Sequence, residues 1–141
     1  MRACDILDAK GRDVVTISPD ATLEDAIETL ASRNIGAVLV MKGDDLVGVL
    51  SERDVVRVLA GAPTGFRDTQ VASLMTTDLH TVTEQASVDE LMDLMTDRRI
   101  RHLPVCEDGK LRGVLSIGDV VKHRIREVAS EAAELRSYIG S

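Results

Sequence analysis

A chain of 141 residues that is 44% hydrophobic can bury a core without disulfide or metal staples, and with Phe66 and Tyr138 as its only aromatics that core must be aliphatic. A formal net charge of −7, with no basic stripe interleaved with aromatics, argues against nucleic acid as the primary partner. No signal-peptide core is expected in the charged first residues, the longest uncharged apolar run (35–41) is too short to span a membrane, and Cys4 and Cys106 form neither a disulfide framework nor a metal pair, so the expected location is cytoplasmic.

In chain order, Ala3–Leu7 leads into a short β-rich run at Val14–Ile17. Thr22-Leu-Glu-Asp25 then has the form of a helix-starting capping box, followed by Leu23, Ala26, Ile27 and Leu30 at helical spacing. Ala37–Met41 and Leu46–Leu50 read as a hairpin around Lys42-Gly43-Asp44-Asp45, and a second helix is expected from about Glu52. Gly, Pro and Thr between Gly61 and Asp68 mark a linker. The same order then recurs. Val71–Met75 leads into a strand at Leu79–Val82, and Ser87-Val-Asp-Glu90 opens a helix carrying Val88, Leu91, Met92 and Met95. His102–Cys106 and Leu111–Leu115 flank an Asp108-Gly109 turn, and a helix follows from about Ile117. Arg124–Ile139 reads as a helical tail with Val128, Ala132, Leu135 and Ile139 along one side.

The recurrence is a duplication. A shift of 65 positions aligns residues 15–57 with 80–122 without a gap, and thirteen of those 43 positions are identical. The densest match sets Leu46, Gly48, Val49, Leu50 and Ser51 against Leu111, Gly113, Val114, Leu115 and Ser116, and Asp54-Val55-Val56 against Asp119-Val120-Val121. The expected division is a first repeat over 1–62, a second over 69–125 and a tail over 126–141.

Gly48-Val-Leu-Ser-Glu-Arg-Asp54 and Gly113-Val-Leu-Ser-Ile-Gly-Asp119 resemble the Gly-hydrophobic-x-Ser/Thr-x-x-Asp motif of CBS (cystathionine-β-synthase) domains, and Arg99–Val105 is similar to the central strand of such a domain. Over its full length the chain resembles bacterial stand-alone CBS-pair proteins. The resemblance implies an α/β fold of two βαββα repeats packed about a pseudo-twofold axis, with two clefts that in this family take AMP, ADP, ATP, NAD or S-adenosylmethionine. It also implies a homodimer. On that alignment Asp119 and Ser116 share one cleft with Val114, Arg101, His102, Val15, Ile35, Gly36 and Ala37. Asp54 and Ser51 share the other with Val49, His80, Ile100, Arg101, His102, Gly36 and Ala37, with Arg53 inside the motif.

The chemistry of those side chains fits a nucleotide. A carboxylate at a helix start can accept both ribose hydroxyls, and a hydroxyl beside first-turn amides suits a phosphate or ribose oxygen. Ser51-x-x-Asp54 and Ser116-x-x-Asp119 are also capping boxes, and one pair can serve both purposes. Arg101 begins a strand at the expected cleft and is the candidate phosphate contact, while Arg33 and Arg98 sit at helix ends that favour cations. His80 and His123 lack metal-ligand spacing, Cys106 reads as a small core residue, and no Ser-His-Asp set, zinc motif or P-loop occurs, so catalysis and metals are not expected. The expected function is a regulatory module sensing an AMP, ATP or NAD(H) class ligand. The alternative is an interaction protein with vestigial clefts that docks a partner enzyme.

Overall fold

The computed structural model describes residues 1–61 and 64–140; Ala62 and Pro63 of the expected linker, and Ser141 at the end of the expected tail, lie outside the described residues. The fold is α/β, with two repeats of strand-and-helix units, and it divides into two compact bodies. One body comprises 13–80 with 109–111, and the other comprises 1–12, 81–108 and 112–141.

The first body holds β1 (Thr16–Ile17), α2 (Leu23–Arg33), β2 (Ala37–Lys42), β3 (Asp45–Ser51) and α3 (Glu52–Gly61). Its sheet has the order β1-β2-β3, β1 parallel to β2 and β2 antiparallel to β3. Thr22 caps α2, accepting from the Asp25 amide at 3.2 Å while Asp25 accepts from the Thr22 amide at 3.2 Å. The helix stops at Asn34, whose left-handed φ of 52° suits Asn better than a branched residue. At the hairpin Gly43 alone takes a positive φ, 63°, as a type II′ turn requires of its first central residue. The core is Leu23, Ala26, Leu30, Val38, Val40 and Leu50, closed by Val71 from the segment leading into the second repeat. That segment is tied down by backbone bonds, Val71 N–H to Ala21 at 2.8 Å and Leu23 N–H to Thr69 at 2.9 Å.

The second body holds α1 (Ala3–Lys10), α4 (Val88–Arg98), β4 (His102–Glu107), β5 (Lys110–Ser116) from Arg112 onward, and α5 (Ile117–Ile139). Ser87 caps α4 and Arg99 ends it at φ 53°, the same backbone state as Asn34. Asp108 and Gly109 both have positive φ, as a type I′ turn demands. Ala3, Ile6 and Leu7 of α1 are fully buried among Leu91, Leu103, Val105 and Leu115. Each lead-in segment therefore completes the core of the body built from the other repeat's hairpin. The compact bodies cut across the expected division at 62 and 69.

Three elements depart from expectation. The strand read at Leu79–Val82 reduces to a single parallel bridge, Val82 to Val105, and the one read at Val14–Ile17 to two residues. Polar His80 and Thr81 interrupt the apolar run, so little is gained by extending that ladder. The tail is no separate element either: α5 runs unbroken through 126, because after Gly118 nothing up to Ile139 is Gly or Pro. Among the described residues no helix is long and apolar enough to cross a membrane.

Candidate functional site

Each motif sits where a strand turns directly into a helix. In the second body Ser116 ends β5 and caps α5: its Oγ accepts from the Asp119 amide at 3.2 Å, and Asp119 Oδ2 accepts from the Ser116 amide at 2.8 Å. In the first body Ser51 ends β3 and Asp54 does the same, with 3.2 Å and 2.9 Å bonds, and the Ser51 hydroxyl also donates to Asp54 Oδ2 at 3.0 Å. The capping role is thus realised in both repeats.

The motif glycines have a steric reason. A Cβ on Gly113 would lie 2.6 Å from Leu7 Cδ2, and one on Gly48 would collide with Met75 Sδ. Only glycine lets the lead-in segment lie this close to the strand. Met75 is followed by Thr76, which bridges Val49 through two backbone bonds of 3.0 and 2.9 Å and whose hydroxyl reaches Asp54 Oδ1 at 3.4 Å.

The two carboxylates differ in their cations. Lys10, at the end of α1, places Nζ 2.6 Å from Asp119 Oδ2 and 2.8 Å from the Val114 carbonyl. Burial alone would raise the Asp119 carboxyl, but the Lys10 hydrogen bond, the Ser116 amide and the Lys10 charge outweigh it and hold it below the ordinary carboxylate range. Asp54 has instead Arg57 on its own helix at 3.7 Å, with a largely exposed side chain. Lys10 was not legible as a site residue, since nothing in the lead-in segment signals a reach to a motif more than a hundred positions away. One turn into α5, His123 is buried and its Nδ1 donates to the Asp119 carbonyl at 3.0 Å. Cys106 lies on β4, where burial pushes its thiol up.

The other expected site residues fall into matching positions. The Gly36 carbonyl accepts from the Glu52 amide at 2.9 Å, and the Arg101 carbonyl accepts from the Ile117 amide at 2.8 Å. Ala37 pairs with Ser51, and Leu39 with Val49. Ile35, Gly36, Ala37, Val49, Val15 and His80 are half-buried in the first body; Ile100, His102 and Val114 are half-buried in the second, where the Arg101 side chain is exposed. Arg53 is exposed on α3. The residues that the resemblance assigns to one ligand are therefore divided between the two bodies. Among the described residues no group of three or more His, Cys, Asp or Glu could hold a metal ion.

Two α/β repeats, each ending a hairpin in a Gly-x-x-Ser-x-x-Asp helix start, define a tandem-repeat α/β fold. The CBS domain family matches at residues 5–61 and 71–126, and the chain belongs to that family. It is 35% identical to the mitochondrial CBS domain-containing protein CBSX3 of Arabidopsis thaliana, over 96% of this chain and 70% of that protein. The crystal structure of the CBS-domain containing protein ATU1752 from Agrobacterium tumefaciens is 42% identical with a TM-score of 0.85, covering 88% of this chain and 99% of that one. The CBS domain protein PAE2072 from Pyrobaculum aerophilum, solved complexed with AMP, is 28% identical with a TM-score of 0.75, covering 84% of this chain and 89% of that one.

Proposed function

We propose that this CBS pair is a regulatory module that binds an adenine nucleotide of the AMP, ATP or NAD(H) class and performs no chemistry on it. The observation that carries the reading is the paired helix starts: a half-buried Ser–Asp couple opens both α3 and α5, in a family with an AMP-complexed relative at 28% identity. In this reading Asp119 and Asp54 accept ribose hydroxyls, and Ser116 and Ser51 offer hydroxyls beside first-turn amides. Arg101, with Arg53 as the first repeat's own basic residue, meets phosphate. Adenine packs between strand edges, against Val15, Ile35, Gly36 and Ala37 with Val114 and His102 for one ligand, and Val49, His80 and Ile100 for the other. The module works in the cytoplasm as a homodimer and passes its state to a partner protein.

A second reading has its own support. The motif's polar atoms already cap helices, and Asp119 already holds Lys10, which is what a vestigial, purely structural motif would look like. Thermal melting with AMP, ATP, NAD, NADH and S-adenosylmethionine separates the two. A ligand that binds only the native state stabilises it by about 2.7 kcal/mol at a hundredfold over its Kd, so melting should rise with the logarithm of concentration. No shift with any of the five at millimolar concentration would leave the structural reading standing.

A further inference from the structure

His123 is the last buried residue of α5, yet the helix continues to Ile139, about 24 Å further at 1.5 Å per residue. Along its outer side Val121, Ile125, Val128, Ala132, Leu135 and Ile139 recur at alternating steps of four and three. The five large ones are exposed by 39, 63, 51, 61 and 81% respectively. The side turned to its own body is different: Val120 and His123 are buried there, and Arg124 pairs with Asp89 at 3.5 Å and with Glu127 at 3.2 Å. Val121, Val128 and Leu135, and likewise Ile125, Ala132 and Ile139, recur every seven residues, the heptad spacing of a two-helix seam. The pattern puts Ile125, Ala132 and Ile139 at one seam position and Val121, Val128 and Leu135 at the other.

The flanking charges choose the partner and the direction. In a parallel pair Glu131 on one helix lies opposite Arg136 of the second copy, and symmetry repeats the pair. In an antiparallel pair the row holding Lys122, Ala129 and Arg136 would face itself, and it contains no acid. We infer that the outer face of α5, from Val121 to Ile139, is a parallel coiled-coil seam for a second copy of this chain. Fewer than three heptads seldom hold together alone, but here the packed first turns of α5 have already met the cost of nucleating the helix. The inference rests on the homodimer reading above and assigns it a surface and an orientation.

Light scattering and cysteine mapping test it on the full chain. The wild type should have about twice the 15.3 kDa chain mass. Leu135→Glu, at an exposed position that leaves the core intact, should weaken dimerisation at least about tenfold by forcing a charge into the seam. Glu131→Arg should also weaken it, and adding Arg136→Glu should restore it. Val128→Cys and, nearer the end of the seam, Leu135→Cys should each oxidise to a dimer joined at the equivalent residue. The second requires parallel register, because an antiparallel pair sets residue 135 opposite the start of the seam. A monomeric wild type at micromolar concentration would overturn both the seam and the homodimer. A dimer indifferent to Leu135→Glu, with no 128–128 or 135–135 peptide, would overturn the seam and leave the homodimer on another surface.

Discussion

Lys10 Nζ meets Asp119 Oδ2 at 2.6 Å, and the same oxygen accepts the Ser116 amide at 2.8 Å. One oxygen of this carboxylate thus carries both the helix cap and an ion pair with a residue from the far end of the chain. Asp54, its counterpart in the first repeat, has no lysine among its described partners; beyond Ser51, Thr76 and the exposed Arg57 stand nearest. The repeats are alike in backbone and unlike in charge.

Acid stability should report this contact. The Asp119 carboxyl lies below its ordinary value when folded, whereas unfolded it returns to about 3.9. Its contribution is therefore complete above about pH 4 and is lost as pH falls through the lower, folded value. Lys10→Met should lower stability at neutral pH and flatten the decline below about pH 4 relative to wild type. Urea midpoints measured between neutral pH and pH 3 decide it: parallel acid limbs in the two proteins would mean that the pair is not formed in solution.

The two motif glycines should not respond alike to substitution. Gly113→Ala drives a methyl into fully buried Leu7, which has nowhere to move, and should cost about 1–3 kcal/mol. Gly48→Ala meets the thioether end of half-buried Met75, which can change rotamer, and should cost less. Chemical denaturation of both variants checks the order, and an equal or reversed cost would show that the Leu7 contact is looser than the packing implies.

Much of this was readable from residue order alone. The capping boxes, the Asp-Gly turn and the two hairpins are local features, each set by a few neighbouring residues, and the duplication makes every one visible twice. Two things were not local. That α1 packs on the second repeat's hairpin and Val71–Thr76 on the first's depends on which apolar surface lies within reach, and Leu7 and Met75 look like ordinary hydrophobes until they are seen against Gly113 and Gly48. Lys10 is hidden for the same reason. The failed strand at Leu79–Val82 shows the converse: β-rich composition proposes a ladder, but His80 and Thr81 offer no apolar face to bury.

Arg101→Ala should separate phosphate from base recognition. Its side chain is exposed while its carbonyl holds the Ile117 amide, so truncation leaves the backbone contact and the fold intact. Calorimetry should show weaker AMP binding, by about tenfold for a lost charge-assisted bond, with adenosine almost unchanged. An equal loss for both ligands would assign Arg101 to packing instead.

The decisive comparison is Asp119→Asn beside Asp54→Asn. Asn keeps a carbonyl oxygen that can accept the Ser116 or Ser51 amide, so each cap survives in large part. What goes is the negative charge, worth about 1.5–3 kcal/mol in a hydrogen bond to a ribose hydroxyl. Asp119→Asn also loses Lys10, so it should be modestly destabilised, whereas Asp54→Asn should melt close to wild type. If the aspartates hold ribose, each variant should bind adenine nucleotide at least about tenfold more weakly at its own site, since 1.4 kcal/mol is tenfold. The smaller effect marks the cleft that contributes less. Lys10→Met supplies the control, because it breaks the ion pair while keeping the carboxylate. Should affinity follow stability across all three variants, with no loss peculiar to the two Asn substitutions, both aspartates would be helix caps and nothing more.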